Sequence, residues 1–229
     1  HVVAVKFQSS FFEALGVPGW EALRRAIQKA QGLGLPVIWD AKRGDISSTM
    51  EAYGQVCFDQ LHADSMTITP YMGSDVITAL GSWLEQGRLV YVVFVPSNPS
   101  GKYLWEAQGS QPVIAQQVWQ MLLDCRQNFP QGLGFVVGAT ILESLPEELW
   151  QEVVQFPLLV PGLGFQGAPL GPRLRQLQTA KVPHLLPMSR GLTGVGDPSL
   201  VQNQDLKSWK DYRQWVQQRI EKVSHDSGV

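Results

Sequence analysis

The sequence predicts a parallel α/β barrel on three observations. Short runs of β-branched and apolar residues recur along the chain, each followed by a turn signal and a helical pattern. The runs are continuous rather than alternating, as in strands covered on both faces of a parallel sheet. Almost every run ends in a polar residue or a Gly/Pro motif. An open sheet would cluster such residues at one switch point, whereas a barrel gathers the ends of all its strands around one site.

Seven runs qualify as strands: 2–7, 36–40, 65–69, 89–95, 134–138, 157–160 and 184–187. The first opens in mid-strand as His1-Val2-Val3-Ala4-Val5-Lys6-Phe7, with neither a signal peptide nor an initiating methionine. The strand ends are Lys6, Asp40-Ala41-Lys42, Thr69-Pro70, Ser97-Asn98-Pro99, Gly138-Ala139-Thr140, Pro161-Gly162-Leu163-Gly164-Phe165-Gln166-Gly167 and Ser189-Arg190-Gly191. Helical patterns lie between. Leu23, Ile27 and Ala30 form one stripe over 21–31, and Val118, Met121 and Leu122 another over 111–124. Over 205–223, Trp209, Tyr212, Val216, Ile220 and Val223 recur at helical spacing, and Lys207, Lys210, Arg213 and Arg219 read as a solvated outer face. No Pro/Gly/Ser-rich linker divides the chain. Residues 1–229 are therefore expected to form a single (β/α) barrel domain that lacks its N-terminal βα unit, seven units of an expected eight.

Composition narrows the function. The 229 residues are 44% hydrophobic and 17% charged, which suits a water-soluble globule with a large core. Lys and Arg number 18 against 20 Asp and Glu, a formal net charge of -2. That balance argues against nucleic acid or an anionic membrane as a bulk electrostatic partner, and leaves room for a local anion site. No apolar run reaches the roughly 18 residues that span a bilayer. Two cysteines, Cys57 and Cys125, are too few for a disulfide framework or a zinc site.

The sharpest chemistry lies in Asp40-Ala41-Lys42-Arg43-Gly44-Asp45-Ile46. Residues two apart on a strand project to the same side, so Asp40 and Lys42 should sit together at the strand's end. Gly44 would let the backbone turn, with Asp45 just beyond. Two carboxylates beside a lysine at a barrel mouth can hold a charged network. The plainer alternative is a solvated Asp–Lys pair followed by a helix cap, and Ser48-Thr49-Met50-Glu51 fits a capping box.

A second cluster follows the last two strands. The 161–167 loop, which includes Pro161 and Gln166, offers backbone N–H groups freed by Gly162, Gly164 and Gly167 that can cradle an anion. Arg190 places a guanidinium at the next strand's end, suited to bidentate phosphate contacts. In barrels the phosphate site commonly follows strands seven and eight. Lys6 ends an apolar strand either as a functional cation or as a lysine snorkelling to water. Ser97-Asn98-Pro99 is either a contact or a plain turn, and the stretch 100–111 would serve as a flexible cover. His62 and His184 lack metal-ligand spacing, and neither cysteine has a histidine partner to make it a nucleophile.

Taken in order, Val5-Lys6-Phe7-Gln8-Ser9, Asp40-Ala41-Lys42-Arg43-Gly44-Asp45-Ile46, Ser97-Asn98-Pro99, Val137-Gly138-Ala139-Thr140, the 161–167 loop and Ser189-Arg190-Gly191 resemble the orotidine 5'-phosphate decarboxylases, most nearly their longer bacterial subgroup. The match runs from about residue 2 to residue 194. Phe7 stands where the subgroup usually has proline, and Ala168 where it has glycine.

The resemblance implies a (β/α)8 TIM barrel that removes CO2 from orotidine 5'-monophosphate to give UMP in pyrimidine biosynthesis. It implies a cytoplasmic enzyme with no metal or organic cofactor, a small-molecule nucleotide as substrate, and a homodimer with shared active sites. Lys6, Asp40, Lys42 and Asp45 would be the catalytic charged tetrad, with Lys42 the proton donor to C6, Asp40 against the substrate carboxylate, and Lys6 holding Asp40 and the ribose. Asp45, Ile46 and Thr49 would reach the neighbouring subunit's site. Ser97 would contact the pyrimidine, while Pro161, Gly164, Gln166, Gly167 and Arg190 would build the phosphate site. The family's first strand, with its ribose-binding aspartate, has no counterpart among these residues.

Chemistry fits these roles. A C6 carbanion needs a fixed positive charge and a nearby acid, and a lysine flanked by carboxylates is both. Remote phosphate contacts supply binding energy to the reacting centre. Two rivals stand beside this reading: a Mg2+-dependent sugar-phosphate decarboxylase of the same suprafamily, and a non-catalytic nucleotide-phosphate binder on the same barrel.

Overall fold

The structure, a computed structural model, describes residues 2–96, 98–101, 114–162, 171–177, 179–189, 192 and 209–227. In chain order the elements are β1 (Val5–Gln8), α1 (Ser9–Glu13), α2 (Gly16–Gln31), β2 (Val37–Arg43), α3 (Ser47–Gly54), β3 (Ser65–Ile68), α4 (Asp75–Thr78) and α5 (Gly81–Glu85). They continue as β4 (Leu89–Val95), α6 (Ile114–Asn128), β5 (Leu133–Val137), α7 (Ala139–Leu142), α8 (Glu147–Val153), β6 (Leu158–Leu159), α9 (Pro172–Leu177), β7 (His184–Leu185) and α10 (Trp209–Ser227). A wide helical turn over Gln55–Gln60 prolongs α3.

All seven expected strands form, and they join one parallel sheet in the order β1 to β7. Sequential order with helices between is what repeated βα units produce. The sheet curls. Ile38 of β2, Tyr91 of β4, Val136 of β5 and Leu159 of β6 pack into one buried cluster, with Leu185 of β7 against it. Side chains from strands that are not neighbours meet there only because the sheet bends round them. The larger cluster lies outside, where Val37, Trp39, Val92, Phe135 and Leu158 meet the helices.

That outer layer follows helical periodicity. Leu23, Ile27 and Ala30 are buried on α2, as expected. On α6 the stripe is rotated from the expected one. Ala115, Trp119, Leu122 and Cys125 are buried, while Val118 and Met121 are only partly so. The reason is aromatic packing, with Trp119 within 5.0–5.4 Å of the rings of Phe94, Phe135 and Phe156. Such pairs contribute about 0.5–1.5 kcal/mol each beyond area burial. On α10 the buried residue is Trp215, beside Tyr212, and Arg219 stacks 5.2 Å over the Trp215 ring rather than standing in solvent. Arg213 is exposed, as expected.

No described helix is long and apolar enough to cross a membrane.

Candidate active site

Strand alternation selects what reaches the barrel axis. Ile38 belongs to the axial cluster and Val37 and Trp39 to the outer one, so Asp40 follows Ile38 inward. Lys6 lies opposite Ile38 in the β1–β2 ladder and faces the same way. Its Nζ donates to Asp40 Oδ2 at 2.5 Å, and Lys42 Nζ donates to Asp40 Oδ1 at 2.6 Å. Asp40 is 4% exposed, and the Lys6 and Lys42 side chains 22% and 48%. The carboxylate is therefore buried between two ammoniums, one half open to the barrel mouth. Burial alone would push the Asp40 carboxyl up. The charges of Lys6 and Lys42, with their hydrogen bonds, outweigh it and hold the group below the ordinary aspartate value.

Asp40 and Lys42 meet, but not through regular alternation. Trp39 pairs with Met66 and Arg43 with Ile68, so Asp40, Ala41 and Lys42 lie opposite the single residue Thr67. This is a bulge, and it extends β2 to Arg43, past the expected end at Asp40. Lys42 takes φ +47° within it. A left-handed conformation costs a non-glycine residue about 1–3 kcal/mol, and here it swings the lysine back toward the carboxylate. The expectation that Gly44 makes the turn needs correcting accordingly. Gly44 is required for clearance, since a Cβ there would lie 2.2 Å from Thr69 Cγ2.

Asp45 does not join the other three charges within this chain. Its Oδ1 accepts the Ile46 N–H at 2.8 Å. Ile46 is 48% exposed and Thr49 is exposed one helical turn on. The expected capping box at Ser48 does not form. The helix starts at Ser47, which puts Ser48 inside the first turn, and Ile46 at the cap position has no side-chain acceptor. Pro161 lies two residues past the end of β6, its carbonyl accepting the Ala139 N–H at 2.8 Å. Ser97, Gly164, Gln166, Gly167 and Arg190 lie outside the described residues, as does most of the stretch 100–111.

Two groups of residues escaped the sequence reading. Thr67 is fully buried, donates to Asp40 Oδ1 at 2.8 Å and accepts the Lys42 backbone N–H at 2.9 Å. The signal was present in Ser65-Met66-Thr67-Ile68-Thr69, where polar and apolar residues alternate in an otherwise apolar run. The second group backs β2 from outside. Trp39 Nε1 donates to Ser9 Oγ at 2.9 Å, Ser9 Oγ donates to Glu13 Oε1 at 2.6 Å, and Arg43 pairs with Glu13. The Arg43 guanidinium also lies over Trp39 and Tyr53, 5.3 and 5.0 Å from their ring centres. The cysteines are buried, and burial pushes both thiols up, away from nucleophilic use. Among the described residues no three His, Cys, Asp or Glu side chains gather as a metal site.

A family model described as "Orotidine 5'-phosphate decarboxylase / HUMPS family" matches residues 1–202. The chain belongs to this family. Orotidine 5'-phosphate decarboxylases of Roseiflexus sp. (strain RS-1) and Herpetosiphon aurantiacus are each 37% identical to it, over 188 and 169 residues. The matches cover 81% and 72% of this chain, and 66% and 61% of those proteins. The chain thus spans slightly less than two thirds of the length of these curated relatives. The solved structure of Leishmania donovani OMP decarboxylase matches with a TM-score of 0.71 at 28% identity, covering 99% of this chain and 82% of that one. The curled seven-stranded sheet is accordingly a version of the (β/α)8 barrel of OMP decarboxylases, as the sequence predicted.

Proposed function

We propose that the protein decarboxylates orotidine 5'-monophosphate to UMP without a cofactor. The observation that carries this reading is the Asp40 carboxylate buried between the Lys6 and Lys42 ammoniums at the end of β2. In the reaction the C6–carboxylate bond breaks, CO2 leaves, and the electron pair stays on C6. Lys42 then gives its proton to C6 and regains one from solvent. Asp40 stands where the substrate carboxylate would be repelled, and Lys6 keeps Asp40 ionised and oriented. Developing negative charge at C6 meets a cation already in place, which is the efficient arrangement for electrostatic stabilisation.

Asp45, Ile46 and Thr49 are assigned to the site of a second subunit. Support comes from Asp45 lying apart from the Lys6–Asp40–Lys42 group, and from exposed Ile46, Tyr71 and Met72 beyond the ends of β2 and β3. Ser97 is assigned to the pyrimidine, and Pro161, Gly164, Gln166, Gly167 and Arg190 to the phosphate, as the resemblance implies. A cytoplasmic setting and a homodimer belong to the same reading.

The test is loss of orotidine 5'-monophosphate absorbance in the ultraviolet, with and without EDTA. Turnover that chelator leaves unchanged is the expected result. Turnover abolished by EDTA would favour the Mg2+-dependent alternative, and UMP binding without turnover would favour a non-catalytic binder. Lys42→Ala should abolish decarboxylation while leaving UMP binding largely in place.

A further inference from the structure

We infer that Thr67 is a positioning residue that ties the Asp40 carboxylate to the backbone of Lys42, and so sets where the Lys42 ammonium stands. The inference rests on the proposed reaction for its kinetic consequence, though not for its geometry.

The bulge in β2 sets three residues against one in β3, and Lys42 N–H loses a backbone partner as a result. A buried N–H without an acceptor is costly. Thr67 Oγ1 accepts it at 2.9 Å, taking the place of a ladder carbonyl. The same hydroxyl has one proton to donate, and an ionised carboxylate can only accept. That proton goes to Asp40 Oδ1 at 2.8 Å. One oxygen therefore fixes both ends of the Asp40–Lys42 pair. It does so from a third strand and at 0% exposure, where water cannot substitute for it.

Lys42 needs such a tether more than most lysines. Its φ of +47° is sparsely populated for a residue with a side chain. Strained conformations persist where surrounding contacts over-determine them. Without the hydroxyl, Lys42 N–H is orphaned, the left-handed backbone loses its local reason, and Oδ1 keeps only the lysine. Thr67→Val preserves shape and burial while removing both bonds.

Thr67→Val should lower kcat roughly 10- to 100-fold, the scale of a small misplacement of a reacting group. KM and UMP affinity should stay within about threefold, because Thr67 belongs to β3 while the predicted phosphate loops follow β6 and β7 in the chain. Removing a donor to the charged form of Asp40 should also move the acidic limb of the kcat/KM profile to higher pH. Thr67→Ser keeps the hydroxyl and should restore kcat to within about threefold of wild type. A second readout needs no turnover. Amide exchange at Lys42 should accelerate at least roughly tenfold in Thr67→Val, with the β3–β4 ladder amides unchanged.

Wild-type kcat in a folded Thr67→Val, or a serine variant as slow as the valine one, would overturn the role. Unchanged exchange at Lys42 would overturn it even if the wild-type protein proved inactive on orotidine 5'-monophosphate, an outcome that would sink only the functional reading. If Thr67→Val does not fold, Thr67→Ser decides alone, and a kcat loss of tenfold or more there contradicts the assignment.

Discussion

Gly134 sits directly across the β4–β5 ladder from Tyr91, and the tyrosine ring occupies the space a side chain at 134 would need. A Cβ on Gly134 would lie 2.9 Å from Tyr91 Cδ1 and Cε1, and 2.7 Å from the Pro157 carbonyl oxygen. The ring belongs to the axial cluster with Ile38, Val136 and Leu159, and its burial pushes the phenol up to about 12.

Gly134→Ala should therefore destabilise the fold by about 1–3 kcal/mol, the usual cost of overpacking a filled core. Neither obstacle retreats easily, since one is backbone and the other a buried ring. Urea unfolding followed by tryptophan fluorescence would read the shift. A midpoint equal to wild type would show that β5 moves freely relative to β4 and β6.

Stability should respond to acid through Asp40. Its carboxyl is held below the ordinary value near 3.8. A group depressed in this way contributes stability above its unfolded pKa, and that contribution disappears as pH falls through the lower, folded value. Below about pH 4 wild type should lose stability more steeply than Asp40→Asn, measured as denaturation midpoint against pH. Parallel curves would mean that Lys6 and Lys42 do not hold the carboxylate in solution.

His184 should act in a different pH window. His184 lies on β7, both its ring nitrogens are buried with no hydrogen-bond partner among the described residues, and burial lowers its pKa from 6.5. The folded state prefers the neutral ring, so the unfolded chain binds more protons just below pH 6.5. Stability is whole above that value and falls as the pH drops beneath it. His184→Phe removes the titration, and its melting temperature should be flatter than wild type between pH 6.5 and 5. An identical slope would show that His184 contributes nothing to this dependence.

The proposed sharing of sites between two subunits makes a mixing prediction. Lys42→Ala and Asp45→Ala subunits should each be inactive, but a random mixture should recover about a quarter of wild-type activity. Half of its dimers are mixed, and one of the two sites in each is whole. Recovery absent from a mixture shown to exchange subunits would place Asp45 in its own subunit's site.

Much of this architecture was legible in the residues. Continuous apolar runs and polar strand ends pointed to seven parallel strands around a common mouth. The period placed Asp40 beside Lys42, although a bulge brings them together, and Lys6 was joined to Asp40 only through the family resemblance. The bulge was not legible, because nothing in Asp40-Ala41-Lys42 marks a lysine for left-handed backbone. Such a residue is held there by its neighbours rather than by preference. Thr67 was missed for a related reason: one threonine in a strand is ordinary until the atom opposite it is known. The α6 stripe was misplaced because periodicity cannot tell Val118 from Trp119 when tertiary aromatic partners decide which is buried. The Ser9–Glu13–Arg43 brace joins residues about 30 apart, beyond the reach of any local pattern.

Alternation in β2 has a further consequence for how this segment can diverge. Trp39 faces the helices and Asp40 the axis, one residue apart. Deleting or inserting a single residue between Val37 and Asp40 would turn the indole to the axis and the carboxylate into the apolar layer. No neighbouring substitution restores that exchange of faces. Side chains in this strand can be swapped one at a time and paid back elsewhere; the spacing from Val37 to Asp40 cannot. Changes in residue number among related chains should therefore fall in the connections flanking β2 or at its bulge, and not between Val37 and Asp40.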